Sequence, residues 1–448
     1  MATATQPEPD APVERRKHDP DLETRYQAGH PKPVPQGVLR SLGLGLITGA
    51  ADDDPSAIGT YAAAGASLGP SFLWTAPVTF PMMFAVVYLS SKLGQVAGKG
   101  LFAVIRDHYP RWLLYGALIG VLVGNIIEAA ADLGGMAAAL NVIVPVPIGI
   151  IVVAVGLGLL ALQLWGGYAL IRNIFRWLAL ALLAYVGSAI LAKPELLPVI
   201  KGTLIPTLHF NKEFLSMLVA VIGTTLSAYL YTWQSNQDVE EEISMGRRRW
   251  IDRKGTTKAE LRRSAHDITL GMLFSNVVMY FIILSTAATL FKVGKTDINT
   301  AAEAAQALKP LAGNAAGLLF AIGVIGVGFI AVPIMTVGAA YDCCQTFGWK
   351  SGLHWRPSEA KKFYMAVTAF TLVAMGLNFF GFNPMKALVW AGIVQGFSTP
   401  FLMLLVMFIT NNRKIMGRWV NTRPMNILGW ITTVAIFLAA IGLVITMI

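Results

Sequence analysis

The sequence predicts an all-α polytopic membrane protein, and three observations carry this prediction. Of the 448 residues, 55% are hydrophobic and only 13% are charged, whereas soluble domains carry about 25% charged residues. Apolar segments long enough to cross a bilayer recur along the chain. The first and the sixth of these segments are interrupted, one by three aspartates and a proline and the other by a glycine and hydroxyl residues.

Eleven predicted spans follow an amino-terminal segment that is rich in proline and charge. Residues 1–37 are expected to form a disordered cytoplasmic tail, because they hold almost no apolar run. Spans one to five (38–193) and six to ten (194–412) are expected to form two inverted repeats, and residues 413–448 carry the eleventh span. The predicted spans are residues 38–68, 71–92, 112–140, 144–165, 173–193, 213–243, 266–291, 313–341, 363–381, 385–410 and 425–447.

The positions of the basic residues predict the orientation. Most of the 35 lysines and arginines lie in the tail and in alternate loops, above all in residues 247–263. The remaining lysines are Lys193, Lys201, Lys212, Lys292, Lys295, Lys309 and Lys386. This asymmetry places the amino terminus in the cytoplasm and, with eleven spans, the carboxyl terminus outside. We expect a monomeric, multi-pass protein of the plasma (cell inner) membrane that is surrounded by the lipid bilayer. Its net charge of +10 reflects the basic residues of the cytoplasmic loops and does not indicate nucleic-acid binding.

The first interruption lies in residues 49–61, which read G-A-A-D-D-D-P-S-A-I-G-T-Y. Ionisable groups at bilayer depth are costly, so Asp52, Asp53 and Asp54 must face water, a cation or each other. Pro55 lacks a backbone donor and disfavours helix at the preceding residue, so the helix should break there. Carboxylates beside the exposed ends of a broken helix make a cation site. A solvated loop between two soluble helices is the alternative, and the apolar flanks disfavour it.

The second interruption is predicted five spans later, where an inverted repeat requires it. Residues 221–234 contain Gly223, Thr224 and Ser227, whose backbone and hydroxyl oxygens suit hard cations. Serine and threonine also pack membrane helices against each other. The weight of this motif therefore comes from its position relative to the aspartates.

These segments resemble the Nramp family of divalent-metal transporters, which have a LeuT-like fold. The match extends over most of the chain and includes the loop 93–101, Asp132-Leu133, Gly223-Thr224-Thr225 and residues 319–323. The resemblance implies a 5+5 inverted repeat with broken first and sixth helices plus an eleventh span. It also implies that Asp54 binds the transported metal.

The identity of the transported ion is predicted from the positions where this chain departs from the family pattern. Where the family has D-P-G-N, this chain has residues 54–57, D-P-S-A, so the asparagine ligand is replaced by Ala57. The family's methionine, proline and histidine of span six align with Ser227, Ala228 and Tyr229. A serine hydroxyl is harder than the thioether that favours manganese and iron. The pattern resembles the Nramp-related magnesium transporters.

The family's proton carriers are also replaced. Its two third-span glutamates align with Asn125 and Gly135, and its histidine aligns with Tyr229. Glu128, one turn from Asn125, could replace one carrier or could simply be paired inside the helix bundle. The resemblance therefore implies transport without proton coupling.

Two sets of site residues follow, and neither includes a catalytic group. The residues expected to hold the ion, partly through retained waters, are Asp54, Ser56, Ala57, Gly223, Thr224 and Ser227. Those expected around the ion or along its path are Asp53, Asn125, Glu128, Tyr229, Asn276 and Gln395. For the two amides in spans seven and ten, a structural role is favoured over a role in the ion's surroundings.

The predicted function is a uniporter-like secondary transporter that moves Mg²⁺, and also Mn²⁺, as a largely hydrated ion by alternating access. No resident cofactor is expected, since the metal ion is the cargo. The alternatives are a proton-coupled Mn²⁺/Fe²⁺ symporter that uses Glu128, a membrane-embedded metal-dependent enzyme, and a sodium-coupled carrier of organic solutes. No catalytic motif is present in the sequence, so an enzyme is not expected.

Overall fold

We analysed a computed structural model of the chain, which describes residues 48–49, 51–165 and 180–447. These residues form α-helices joined by short loops and single turns of 3₁₀-helix. The predicted all-α class is therefore confirmed. The predicted tail (1–37), most of the first half of span one, and residues 173–179 of span five lie outside the described residues.

Within the described ranges, fourteen helices have eight or more residues, and we number them α1 to α14. They are α1 (Pro55–Leu68), α2 (Thr75–Ala97), α3 (Leu101–His108), α4 (Arg111–Asn141), α5 (Ile148–Trp165), α6 (Ala184–Leu191), α7 (Leu196–Leu204), α8 (Lys212–Thr225), α9 (Ala228–Ser244), α10 (Lys258–Thr289), α11 (Ala316–Phe347), α12 (Lys361–Leu377), α13 (Pro384–Thr410) and α14 (Arg423–Met447).

The helices overlap the predicted spans wherever the chain is described, although α10 begins earlier than predicted, at Lys258, and α11 ends later, at Phe347. Eight helical segments there have the length and apolarity to cross a membrane, with α8 and α9 together forming one of them. The shorter apolar helix α5 corresponds to the fourth predicted span. The helices α1 and α6 are the described parts of the first and fifth predicted spans. The chain is thus a multi-pass membrane protein.

Both predicted helix breaks are present. Residues 48, 49, 51 and 52 are helical, the helix is interrupted at Asp53 and Asp54, and α1 begins at Pro55. In the sixth span α8 ends at Thr225 and α9 begins at Ala228. Each break therefore exposes the carbonyl end of one half-helix and the amide end of the next.

Close helix packing holds the two breaks together. The half-helices α1 and α8 contact each other, and both pack against α13, while α1 also packs against α4 and α10. A Cβ atom at Gly223 would overlap the backbone of Gly392 and Gly396, so α8 and α13 touch main chain to main chain. Small residues permit such close approach between membrane helices. Gly223 therefore has a packing role, in addition to the ion-binding role predicted for its backbone oxygen.

Candidate functional site

At the first break, Asp54 caps the amino end of α1. Its Oδ1 accepts a hydrogen bond from the amide of Ala57 at 2.7 Å, and Pro55 occupies the first helical position, where its missing N–H costs nothing. The other carboxylate oxygen, Oδ2, is buried and has no hydrogen-bond partner among the described residues. One oxygen of Asp54 therefore fixes the break, and the other is free to bind a ligand.

A second carboxylate reaches the same helix end from α4. The Oδ1 atom of Asp132 accepts hydrogen bonds from both the amide (2.8 Å) and the hydroxyl (2.6 Å) of Ser56. Anionic groups are stabilised at helix amino termini, where unpaired amides and the helix dipole point at them. Asp132 was not among the site residues predicted from the sequence. Its signal was available, because Asp132 lies four residues after Glu128 and thus on the same face of one helix.

The other two aspartates of the break share one hydroxyl group on α10. The Oγ atom of Ser275 lies 2.9 Å from Oδ2 of Asp52 and 3.1 Å from Oδ1 of Asp53. Within the described chain, the second oxygen of each carboxylate has no hydrogen-bond partner. Ser275 was missed by the sequence analysis, since a hydroxyl in an apolar helix gives no distinctive signal.

The neighbouring Asn276, which was selected from the sequence, faces a different helix. Its Nδ2 atom donates to Oγ1 of Thr79 at 3.2 Å and contacts the sulfur of Met83 at 3.7 Å. Consecutive residues of an α-helix point about 100° apart. The side chain of Asn276 therefore lies against α2, away from the aspartates that Ser275 contacts, and its proposed place along the ion path stays a prediction.

At the second break, Ser227 connects the carbonyl end of α8 to α4. Its hydroxyl oxygen lies 2.8 Å from the carbonyl of Thr224, 3.2 Å from that of Gly223 and 2.8 Å from Oε1 of Glu128. A hydroxyl carries only one proton, so these acceptors compete for it. Glu128 therefore has a neutral hydrogen-bond partner in the bundle, and the choice between its two predicted roles, proton carrier or structural residue, stays open.

Gln395, on α13, completes the second break from the other side. Its Oε1 accepts from the amide of Ala228 at 3.1 Å, and its Nε2 donates to Oε2 of Glu128 at 2.6 Å. The amide side chain thus satisfies an amide at the start of α9 that has no intrahelical partner. Together with Ser227, these residues form a closed ring of hydrogen bonds around the break.

Two tyrosines link the breaks to each other. The hydroxyl of Tyr229, in the first turn of α9, donates to the carbonyl of Ala51 at 3.1 Å. The hydroxyls of Tyr61 and Thr225 are 2.8 Å apart and connect α1 to the last turn of α8. The structure therefore brings the predicted residues of the two breaks together, whereas Asn276 lies against α2 and the place of Asn125 in the site stays a prediction.

The remaining predicted residues differ in whether their polar atoms already have hydrogen-bond partners. Thr224 and Asn125 are buried, and neither the threonine hydroxyl nor either polar atom of the asparagine has a hydrogen-bond partner in the described part of the chain. Ala57 contributes its amide to the Asp54 cap. The hydroxyl of Ser56 donates its hydrogen bond to Oδ1 of Asp132. The unpaired oxygens near the breaks thus belong mainly to carboxylates, with Thr224 and Asn125 beside them.

The charges around the breaks are negative and fully buried. The carboxylates with no exposed surface are Asp52, Asp53, Asp54, Glu128 and Asp132. Asp54 interacts electrostatically with three of them, and the ion pairs found among the described residues include none of the five. Buried charges of one sign are unfavourable unless cations or protons compensate them. The region around the two breaks is therefore suited to a cation.

The carboxylates alone do not enclose a metal ion. Among the described residues, no group of three or more histidine, cysteine, aspartate or glutamate side chains is arranged to hold one. A bound cation would need hydroxyl, carbonyl or water oxygens as well, and hard cations accept such ligands.

Two broken membrane helices that meet at a buried anionic pocket are the architecture of secondary transporters with the LeuT fold. The protein-family model described as natural resistance-associated macrophage protein-like (Nramp) matches residues 45–446. The chain belongs to the Nramp family of divalent-metal transporters, and it is a transporter rather than an enzyme.

Curated relatives match over nearly the whole chain. The chain is 26% identical over 399 residues to the divalent metal cation transporter MntH of Klebsiella pneumoniae (strain 342), covering 88% of this chain and 91% of that protein. It is 25% identical over 410 residues to the protein of the same name from Bacillus subtilis (strain 168), covering 90% and 91% of the two chains.

Solved structures share the fold. The Eremococcus coleocola manganese transporter, in complex with an aromatic bis-isothiourea compound, superposes with a TM-score of 0.68 at 18% identity, covering 92% of this chain and 88% of that chain. Mhp1, a nucleobase-cation-symport-1 family transporter, superposes with a TM-score of 0.56 at 14% identity, covering 91% and 92%. The predicted LeuT-like fold is therefore confirmed.

Proposed function

We propose that this Nramp-family transporter carries Mg²⁺, and also Mn²⁺, as a partly hydrated ion by alternating access without proton coupling. The observation that carries this proposal is the oxygen-only chemistry of the second break. Ser227 occupies the position where the family resemblance places a thioether, and its hydroxyl oxygen lies 2.8 Å from the carboxylate of Glu128. Oxygen ligands suit both Mg²⁺ and Mn²⁺, whereas a thioether would add a preference for Mn²⁺ and Fe²⁺ over Mg²⁺.

The small residues at the breaks support a hydrated ion. Ser56, Ala57, Ser227 and Ala228 are all fully buried and have short side chains. Mg²⁺ dehydrates reluctantly and usually keeps several of its six waters. We propose that Asp54 binds the ion directly or through water, and that Thr224 anchors further waters.

Inward movement of a divalent cation does not require a cotransported ion. Two positive charges moving down a potential of 100 mV release about 4.6 kcal/mol. This free energy corresponds to a concentration ratio of about 2,000 at equilibrium. The membrane potential is therefore sufficient to drive uptake.

Proton-coupled symport of Mn²⁺ or Fe²⁺ is the second candidate. Two observations favour it: the printed names of the relatives, which are divalent metal cation transporters and a manganese transporter, and the burial of Glu128 without a basic partner among the described residues. A buried carboxylate of this kind can bind a proton and release it during the transport cycle.

A flux assay on the purified protein in liposomes separates the two candidates. Entry of Mg²⁺, Mn²⁺ and Ca²⁺ is followed with a lumenal fluorescent indicator, with and without an imposed proton gradient, and the lumenal pH is recorded in parallel. We expect Mg²⁺ and Mn²⁺ entry that depends on the potential but not on the proton gradient, and no flux in Asp54→Ala. Lumenal acidification in step with metal entry would overturn the uncoupled mechanism in favour of the second candidate.

We also propose a monomer in the plasma membrane with a cytoplasmic amino terminus, since the basic loops support this orientation. Labelling of single cysteines introduced at Lys386 and at Arg262 in intact cells tests the orientation. We expect an impermeant maleimide to label the cysteine at 386 alone.

A further inference from the structure

We propose that Glu128 is a direct ligand of the transported cation, so that the ion is held between Asp54 at the first break and Glu128 at the second. This inference rests on the proposed divalent-cation transport and adds a second anionic ligand to the site. The carboxylate of Glu128 would then be the hard ligand at the second break, where the family resemblance places a thioether and this chain has Ser227.

The position of Glu128 suits a ligand at the second break. Glu128 is fully buried on α4, and its two carboxylate oxygens are fixed by the hydroxyl of Ser227 (2.8 Å) and the amide of Gln395 (2.6 Å). Because Gln395 also binds the amide of Ala228, the carboxylate is attached to the start of α9. It therefore occupies the second break itself, although α4 is a separate span.

The charge of Glu128 is not compensated by its hydrogen-bond donors. Both donors to Glu128 are neutral, so they orient its carboxylate without neutralising it, and each oxygen keeps a further acceptor site. Glu128 lies one turn before Asp132 on α4, and the carboxylate of Asp132 binds Ser56 at the start of the helix that Asp54 caps. Like charges buried near these helix ends are unfavourable alone, and a divalent cation between Asp54 and Glu128 removes the repulsion.

Buried oxygen atoms at both breaks have unused acceptor capacity. In the described part of the chain, Oδ2 of Asp54 and Oγ1 of Thr224 are buried and have no hydrogen-bond partner. Thr224 lies in the last turn of α8, next to the Ser227 that holds Glu128. Buried polar atoms without a partner are unfavourable, and a cation bound between the breaks would be a partner for both of these oxygens.

This assignment makes Glu128 a determinant of selectivity. A carboxylate at the second break favours hard cations, and the hydroxyl at position 227 orients it where a thioether would favour soft ones. Removing the charge should therefore weaken the binding of Mg²⁺ more than that of a soft ion such as Cd²⁺.

The experiment measures binding of Mg²⁺, Mn²⁺ and Cd²⁺ to the purified full chain by calorimetry, together with liposome flux. The variants are Glu128→Gln, which keeps the size of the side chain, and Glu128→Asp, which keeps its charge. Asp342→Asn is the matched control, because Asp342 is a fully buried acid on α11 outside the two breaks. We expect Glu128→Gln to weaken Mg²⁺ binding at least about 30-fold, since loss of one buried charged partner costs roughly 2 kcal/mol or more.

The accompanying results distinguish a ligand from a purely structural residue. We expect a smaller loss for Cd²⁺ than for Mg²⁺ in Glu128→Gln, partial recovery of Mg²⁺ affinity in Glu128→Asp, and unchanged affinity in the control. Equal losses for all three ions, or wild-type Mg²⁺ affinity in Glu128→Gln, would overturn the assignment. If the wild-type protein itself binds and moves no divalent cation, the proposed function fails instead.

Discussion

The two helix breaks are built in different ways. The first is largely specified by its own sequence, because Pro55 starts the new helix and Asp54 caps it three residues before the amide that it binds. The second has neither a proline nor a charged residue of its own. Its hydroxyl and its first free amide are bound by Glu128 from α4 and Gln395 from α13.

Because of this difference, the charge that binds the ion and the position of the helix ends can be changed separately. Substitutions at the first break should remove ion affinity while leaving the helix ends in place, since proline and the remaining cap fix them. Substitutions around the second break should disturb the position of α9, because two other helices hold it. The following predictions test this comparison.

The largest effect is expected for Asp54→Asn. Asparagine is as good a helix cap as aspartate, so the break should persist, whereas the loss of the charged ligand should weaken metal binding by about 2–5 kcal/mol. Flux and calorimetric affinity measure this loss, and thermal unfolding in detergent should be nearly unchanged. Asp54→Ala should in addition lose roughly 1 kcal/mol of stability. Normal transport by Asp54→Asn would contradict a site centred on the first break.

Gly223→Ala should damage the second break through packing. The added methyl group would overlap the backbone of Gly392 and Gly396, and such overpacking typically costs about 1–3 kcal/mol. A lower midpoint of thermal unfolding checks this. Gly158→Ala is the control, since a Cβ atom there meets nothing within 4 Å and should leave the midpoint unchanged or higher. Equal midpoints for the two variants would mean that α8 and α13 do not touch as closely as described.

Gln395→Leu should open the ring at the second break. It leaves the amide of Ala228 and one oxygen of Glu128 without their partner, at a cost of about 1–3 kcal/mol. Transport should slow and thermal stability should fall together, in contrast to Asp54→Asn. An unchanged unfolding midpoint with reduced Mg²⁺ affinity would instead indicate that Gln395 contacts the ion.

A smaller effect is expected for Ser275→Ala, which removes the hydroxyl that contacts Asp52 and Asp53. Loss of a hydrogen bond to a charged group costs about 1.5–3 kcal/mol at most, and water can replace part of it here. We expect a less than tenfold change in the apparent affinity for Mg²⁺ in flux assays. Asn276→Ala should change this affinity less, because its side chain lies against Thr79. A larger effect at Asn276 would support the path role assigned to it from the sequence.

The sequence by itself determined the membrane class, the spans and the first break. Hydropathy, proline and buried charge act over a few residues, so the pattern around Asp54 and Pro55 is sufficient to locate the break. The second break followed from the repeat of five spans, since its local sequence is weak.

Only the tertiary structure decided which side chains complete the two breaks. Asp132 and Ser275 reach the first break, and Glu128 and Gln395 reach the second, from helices far away in the chain. Which face of a helix points inward depends on packing against its neighbours, and one residue changes the direction by about 100°. For that reason Asn276 was selected from the sequence as a polar residue in an apolar span, whereas the three-dimensional packing placed Ser275 beside the aspartates.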